Sequence, residues 1–323
     1  MSKLQMREGI STAMAEEMRR DEKIFVMGED VAIVGGVYKA TKGLLAEFGP
    51  QRVRNTPLSE AAIVSAAVGA ALAGARPIAE IMHIDFFGCC MDSICNQMAK
   101  MHYKSGGKLT VPMVLRTQSG RGRGNGCTQS QSLEAWVTHI PGLKVVMPSN
   151  AYDANGLLKS AIRSNDPVVF IEHKGLYHLR CEVPDEEYLI PLGKADVKRE
   201  GSDVTIIGYS KTVHTALEAA ELAAKEGISV EVIDLRTLIP LDMETIAQSV
   251  KKTGRVIVTH EASECGGFGA EIASRIGFEL FDWLDGPVTR VCGSNTPVPF
   301  APVPEIESAP TAQRLLTAIR GMI

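Results

Sequence analysis

Glu60 is the residue whose surroundings point most clearly to chemistry. It ends the polar run Thr56–Glu60 and stands directly before an uncharged stretch, residues 61–75. A carboxylate at the mouth of so apolar a segment is costly to bury without a partner, so it is more often functional than incidental. The alternative is an acidic residue that stabilises the start of a helix. Glu60 is therefore the first candidate for acid–base chemistry.

Glu29 is a second candidate carboxylate. It follows the first predicted strand, Ile24–Met27, and the carboxyl ends of parallel strands are where sites form. A helix cap or a solvated turn explains it equally well. The chain has neither GxxxxGK[ST] nor GxGxxG after a strand, so any phosphate of a cofactor must be held by something else. The glycine-rich segments Gly120–Gly126 and Gly266–Gly269 predict a loop and a tight strand-to-helix turn.

The elements that must position these residues alternate along the chain. Predicted strands are Ile24–Met27, Pro77–Met82, Pro112–Arg116, Lys144–Met147, Val168–Glu172, Val204–Tyr209, Ile228–Leu235 and Arg255–Thr259. Predicted helices are Met6–Arg20, Glu60–Ala73, Phe86–His102, Gln131–His139 and Ala151–Arg163, the last capped by Asn150. The alternation predicts an α/β fold with mostly parallel, doubly wound sheets covered on both faces.

Length and composition predict two domains in a protein without nucleic-acid or membrane partners. The chain has 323 residues and a net charge of −4. The proline-containing, acidic segment Glu182–Gly193 is the predicted linker between domains 1–185 and 194–323. The stretch 61–75 is too short to span a bilayer and predicts a fully buried helix. Seven cysteines without a CxxC pair indicate reduced thiols in the cytoplasm. The proline-rich stretch Thr296–Pro304 predicts an extended arm.

Several motifs, in order along nearly the whole chain, resemble one family. They are Met27–Asp30, Thr56–Glu60, Ala70–Pro77, Ser130–Trp136, Pro141–Val146, Asp166–Val168 and Asp234–Leu238. They resemble the beta subunit of the thiamine-diphosphate-dependent, decarboxylating component of 2-oxo acid dehydrogenase complexes. The segments around Ile81–Gly88 and His139–Pro141 look most like bacterial acetoin and pyruvate dehydrogenase beta subunits.

The resemblance implies a pyrimidine-binding domain followed by a transketolase C-terminal-like domain. It also implies an oxidoreductase active only with an alpha subunit, in a heterotetramer of two alpha and two beta chains. The alpha subunit would hold the diphosphate and magnesium, and a lipoyl-bearing acyltransferase would accept the acyl group. A branched-chain 2-oxo acid dehydrogenase subunit and a non-catalytic scaffold are the alternatives. The small-molecule substrate, a 2-oxo acid or acetoin, is not specified by the sequence.

The resemblance also implies roles for particular residues. Glu60 would contact the aminopyrimidine nitrogen of thiamine diphosphate and activate the cofactor, and Glu29 would be a second carboxylate that relays protons. The apolar pocket around the pyrimidine would be formed by Leu58, Met82 and Phe86. A potassium site built from carbonyl oxygens maps onto Met113, Ala161, Ile162, Ser164 and Asp166.

One departure from the family pattern concerns the active site. The family usually has Gln-His-Ser-Gln-Ser before Leu-x-Ala-Trp, whereas this chain has Gln129 where the histidine is expected. Glutamine donates and accepts hydrogen bonds but does not transfer a proton near neutral pH. Three interpretations follow: a different acceptor or substrate, a nearby histidine in its place, or weakened catalysis. Ser164 is a second departure, since the pyruvate enzymes usually have aspartate there.

Overall fold

The structure, a computed structural model, describes residues 1–323 and contains two compact units. The first comprises residues 1–119 and 136–192, and the second comprises residues 120–135 and 193–323. The segment 120–135 falls inside the predicted first domain, 1–185, but groups with the second unit. The limits 1–185 and 194–323 stay a prediction.

The first unit is built on a parallel sheet. Its strands are β1 (Ser2–Gln5), β2 (Ile24–Gly28), β3 (Val53–Asn55), β4 (Arg76–Ile81), β5 (Val114–Ser119), β6 (Lys144–Val146), β7 (Val168–His173) and β8 (Arg180–Val183). Six of them are hydrogen-bonded in the order β6-β7-β5-β4-β2-β3, with every neighbouring pair parallel. Strands β1 and β8 form a separate antiparallel pair. Parallel strands buried on both faces explain the near-continuous apolar runs.

Six α-helices lie in the first half of the chain. They are α1 (Met6–Arg20), α2 (Leu44–Phe48), α3 (Glu60–Leu72), α4 (Met101–Lys104), α5 (Glu134–Thr138) and α6 (Ala151–Arg163). Both α1 and α6 have the predicted bounds, and they pack together in the main core of the unit. The predicted cap of α6 is confirmed: the Asn150 side chain accepts a hydrogen bond from Asp153 N at 2.9 Å.

Helix α3 is not fully buried, so that prediction is wrong for the single chain. One face is buried and carries Ile63, Val64, Ala67, Val68 and Ala71. The opposite face is exposed and carries Ala61, Ala62, Ser65, Ala66 and Gly69. Missing charge alone does not establish burial, because small side chains add little apolar surface when they face solvent.

Substitutions on the two faces of α3 should have different effects. Ala67 is 0% exposed, so Ala67→Glu should bury an unpaired charge and leave little folded protein. Ala66 is exposed, so Ala66→Glu should fold normally and impair only assembly with a partner chain. Soluble yield and circular dichroism of the isolated chain report folding, and gel filtration with the alpha chain reports assembly. A folded, assembled Ala67→Glu protein would contradict the burial of this face.

The predicted helix Phe86–His102 is wrong as one element. The chain forms a 3-10 helix at Ile84–Cys89, a π-helical turn at Ser93–Met98 and then the short α4. Apolar periodicity does not distinguish these hydrogen-bonding patterns, since all of them bury one side of the segment. Pi-helical turns occur often at functional sites, and this one packs against α3.

The second unit has its own five-stranded sheet. Five of the six strands in this half of the chain form it: β9 (Asp196–Arg199), β10 (Val204–Gly208), β11 (Val230–Asp234), β13 (Val256–Ser263) and β14 (Thr289–Gly293). The sixth strand is β12 (Thr237–Ile239), and the helices of the unit are α7 (Lys211–Ala224), α8 (Met243–Thr253), α9 (Phe268–Glu279), α10 (Pro302–Glu307) and α11 (Ala312–Arg320). The sheet order is β14-β13-β10-β11-β9, parallel except for β9. No helix of either unit has the length and apolar character needed to cross a bilayer.

The structure tests two local predictions for the second unit, the glycine-rich turn and the proline-rich arm. A Cβ on Gly267 or Gly269 would come within 2.5 Å of the His260 ring, so these glycines accommodate a buried histidine at the strand-to-helix turn. The expected extended arm Thr296–Pro304 is only partly extended, because α10 begins at Pro302. Proline is well tolerated in the first turn of a helix, where its missing N–H would have no partner.

Candidate active site

The candidate site lies at the carboxyl ends of three neighbouring strands of the first unit. Glu29 follows β2, Met82 follows β4, and Glu60 follows β3 as the first residue of α3. Because β3, β2 and β4 are adjacent and parallel, their carboxyl ends share one edge of the sheet. The helix start favours a negative charge at Glu60, and the side chain is partly exposed.

Negative charge is concentrated around Glu29. Burial raises the pKa of its carboxyl, and the carboxylates of Glu60, Asp30 and Glu80 raise that pKa further. Glu29 therefore holds a proton at higher pH than an ordinary glutamate. Raised carboxyl pKa values beside like charges are typical of sites that exchange protons. The fold thus brings the two predicted catalytic carboxylates into one electrostatic group.

Apolar side chains lie next to these carboxylates and are at least partly exposed to solvent. Leu58 is 79% exposed although it is a large apolar residue. Met82 and Phe86 are half-buried, and the Phe86 ring meets the His83 ring edge-on with centroids 5.8 Å apart. His83 itself is buried, and burial lowers its pKa to about 4, with the positive charge of Lys174 adding to the shift. An exposed leucine next to acid–base groups indicates a surface that binds a ligand or a partner chain.

A buried ionic cluster that the sequence did not predict lies beside this edge. Arg116 on β5 is 0% exposed; its Nη1 donates to Glu80 Oε2 at 2.6 Å, and its Nε and Nη2 donate to Glu172 at 2.7 and 2.8 Å. Tyr177 donates its hydroxyl to Glu172 at 2.6 Å. Burial raises the pKa of Glu172, although Arg116 counteracts it. The available signal was a charged residue near the carboxyl end of each of three predicted strands.

Gln129 is exposed and belongs to segment 120–135 of the second unit, whereas Glu29 and Glu60 belong to the first. Hydrogen bonds attach the segment to its own unit. Tyr209 Oη donates to Glu134 Oε1 at 2.8 Å, Gly124 N donates to Glu305 Oε2 at 3.0 Å, and Arg121 Nη1 donates to Glu261 O at 2.5 Å. A role of Gln129 in catalysis stays a prediction.

Four of the carbonyl groups mapped as a potassium site, those of Met113, Ala161, Ile162 and Ser164, already accept hydrogen bonds. Arg76 donates to Ile162 O at 2.8 Å and to Ser164 O at 2.6 Å. Ala161 O accepts from Ser164 N at 3.2 Å, and Met113 O accepts from Val168 N at 3.0 Å. The Asp166 side chain pairs with Lys144 at 2.9 Å. A potassium ion would have to share two of these oxygens with the Arg76 guanidinium, and the potassium site stays a prediction.

Comparison with known proteins extends over both units. Residues 2–180 match the family model "Transketolase, pyrimidine binding domain", and residues 193–315 match "Transketolase, C-terminal domain". The solved structure titled "Split gene transketolase, inactive beta4 tetramer" matches with a TM-score of 0.82 at 23% identity, covering 99% of this chain and 98% of that one. At that identity, the likeness shows the fold alone.

Sequence relatives are similar over nearly their full length. The chain is 47% identical to the beta subunit of acetoin:2,6-dichlorophenolindophenol oxidoreductase from Cupriavidus necator, covering 98% of this chain and 97% of the relative. It is 49% identical to the pyruvate dehydrogenase E1 beta subunit of Bacillus subtilis, covering 93% of each. With these matches, the chain belongs to the family of beta subunits of thiamine-diphosphate-dependent 2-oxo acid and acetoin dehydrogenases.

Proposed function

We propose that this subunit, paired with an alpha subunit, cleaves pyruvate or acetoin and passes the acyl group to lipoamide. The observation that carries the proposal is the carboxylate pair Glu29 and Glu60, with exposed Leu58 beside it, at the carboxyl edge of the first sheet. These residues offer half of a cofactor site: proton-exchanging groups and an apolar surface. The phosphate-binding half is assigned to the alpha subunit, together with magnesium.

The residues present fit the pyrimidine half of thiamine diphosphate. Glu60 would share a proton with a ring nitrogen, and Leu58, Met82 and Phe86 would contact the ring faces. Glu29, whose pKa is raised, would accept a proton when Glu60 loses one and supply a proton when Glu60 gains one. When bound, the cofactor supplies the electron sink that allows the bond next to the carbonyl group to break.

The proposed partner surface includes the exposed face of α3 and Leu58. Both are apolar, adjoin Glu60 and face solvent in the single chain. Small residues on a helix allow another backbone to approach closely. We infer a heterotetramer of two alpha and two beta chains, with a lipoyl-bearing acyltransferase as the acceptor. The seven free thiols fit a reducing compartment, and we propose the cytoplasm.

An activity assay tests the proposal directly. The purified alpha–beta pair should reduce an artificial electron acceptor with pyruvate or acetoin, given thiamine diphosphate and magnesium. A panel that adds 3-methyl-2-oxobutanoate also tests the branched-chain alternative. An assembled pair that binds the cofactor but turns over none of these substrates would support the non-catalytic scaffold instead.

Cofactor binding should require both chains. The isolated beta chain should bind thiamine diphosphate weakly, because its sequence contains no recognisable phosphate-binding motif. Calorimetry of the beta chain alone should give no measurable heat at micromolar ligand. The alpha–beta pair should bind tightly, and only with magnesium present. Tight binding by the beta chain alone would overturn the half-site interpretation.

Gln129 should limit transfer to lipoamide more than cleavage of the substrate. Attack on the lipoyl sulfur benefits from a positioned proton donor, whereas cleavage depends mainly on the cofactor. Gln129→His should therefore raise lipoamide-linked turnover and change artificial-acceptor turnover little. Gln131→His, two residues further along the same segment, is the matched control. Equal changes in both assays for Gln129→His would show that Gln129 is adapted to this enzyme's own substrate.

A further inference from the structure

Arg121 is a buried cation without an ion pair. The residue is 5% exposed, its Nη1 donates to the main-chain oxygen of Glu261 at 2.5 Å, and its Nε is buried with no hydrogen-bond partner. Burial lowers the pKa of Arg121, although the carboxylates of Glu261, Glu134 and Glu305 act in the opposite direction. Buried charges in proteins are usually paired, so a guanidinium left in this state indicates an absent anion.

The Arg121 side chain is also held in place. A Cβ on Gly293 would lie 2.7 Å from Arg121 Nη1, so the backbone of β14 closes against this end of the guanidinium. The main-chain nitrogen of Arg121 approaches Glu261 Oε2 at 3.3 Å. A fixed guanidinium loses little conformational freedom when it binds a ligand.

Arg121 lines a cavity of the second unit of about 460 Å³. Cavities that bind small molecules measure roughly 300–1,000 Å³. Lys211 and Thr212, the first two residues of α7, line it as well. The Ser210 side chain at the N-cap position makes no capping bond to this 14-residue helix. The start of α7 therefore adds a positive potential to the cavity, because no N-cap side chain accepts a hydrogen bond from its N–H groups.

The negative groups of the cavity limit which anions fit. Glu218 and Glu261 line it too, so a bare anion would meet two carboxylates as well as Arg121 and Lys211. A ligand with one anionic group and several hydroxyls suits both the cations and the carboxylates of the cavity. Its anionic group would pair with the cations, and its hydroxyls would donate hydrogen bonds to the carboxylates. Guanidinium groups match phosphate oxygens in geometry and charge.

We propose that this cavity binds a phosphate ester of a small polyol, with the phosphate between Arg121, Lys211 and the start of α7 and the hydroxyls toward Glu218 and Glu261. The cavity is larger than a phosphate ion needs, which leaves room for the polyol. The proposed site includes neither Glu29 nor Glu60, so this proposal does not depend on the function proposed above. Because Arg121 belongs to the same segment as Gln129, ligand binding would also stabilise that segment.

Calorimetry on the full-length chain with glycerol 3-phosphate as the probe tests the proposal. We expect saturable binding that Arg121→Gln and Lys211→Gln each weaken about tenfold or more, the usual loss for a charge-assisted hydrogen bond. Arg123→Gln removes the same charge from an exposed position of the same segment, so it should bind like the parent chain. Inorganic phosphate should bind at least about tenfold more weakly than the ester.

Other results would overturn the proposal. No saturable binding, or equal losses in Arg121→Gln and Arg123→Gln, would exclude the cavity as the site. Equal affinity for phosphate and ester would exclude the polyol part. Thermal unfolding without ligand separates binding from structure: Arg121→Gln should keep or raise the midpoint, because it removes an unpaired buried charge. A lowered midpoint with unchanged ligand-induced stabilisation would make Arg121 a structural residue only.

Discussion

Glu60→Gln should reduce turnover of the assembled enzyme by about 10²–10⁴-fold, the range typical of a lost general acid–base group. Folding should be almost unaffected, because Glu60 is partly exposed at the first position of α3 and has no ion pair that the fold depends on. Loss of a carboxylate at a helix start costs only about 0.3–1 kcal/mol. Turnover with the artificial acceptor, circular dichroism and thermal midpoint are the measurements.

A matched control separates mechanism from charge. Glu22→Gln removes one carboxylate from an exposed turn of the same unit and should keep full activity. Glu60→Gln should also assemble with the alpha chain as the parent does. Near-normal turnover of Glu60→Gln in assembled enzyme would remove Glu60 from the mechanism and leave Glu29 without its proposed proton partner.

Arg116→Leu should destabilise the first unit by about 3–5 kcal/mol, the usual loss when one partner of a buried ion pair is removed. The substitution leaves Glu80 and Glu172, which are 4% and 0% exposed, without their cation. Both carboxylates would then have to be protonated or solvated for the unit to remain folded. Urea unfolding followed by circular dichroism measures the loss.

Two comparisons make this prediction specific. Arg19 forms a surface pair with Glu47, so Arg19→Leu should change stability by less than about 1 kcal/mol. Adding Glu172→Gln to Arg116→Leu should restore part of the loss, because it removes one of the uncompensated charges. If Arg116→Leu and Arg19→Leu lower the free energy of unfolding equally, the buried cluster contributes no more to stability than a surface ion pair.

The sequence was sufficient for the features that depend on local pattern. Apolar periodicity predicted α1 and α6 with the observed bounds, and the spacing of Asn150 and Asp153 predicted the cap of α6. These succeed because hydrogen bonds within a helix and its cap join residues three or four apart in the chain. The alternation of strands and helices predicted the α/β class for the same reason.

Candidate site residues could be predicted where a motif lies within a few positions of the sequence. Glu29 and Glu60 were identified from strand ends and from family resemblance, and the sheet order explains why they share one edge. The sequence could not show that Glu80 adds to the field on Glu29, since strand neighbours are set by pairing between distant segments.

Tertiary structure alone determined the rest. Pairing of β4, β5 and β7 buries Arg116 between two carboxylates, and packing of segment 120–135 within the second unit buries Arg121 without an ion pair. Exposure of one face of α3 is likewise a matter of which elements lie next to it. Each of these depends on contacts between residues far apart in the chain. By itself, the sequence determined the local elements and the carboxylates at their ends, whereas long-range packing determined which charges are compensated.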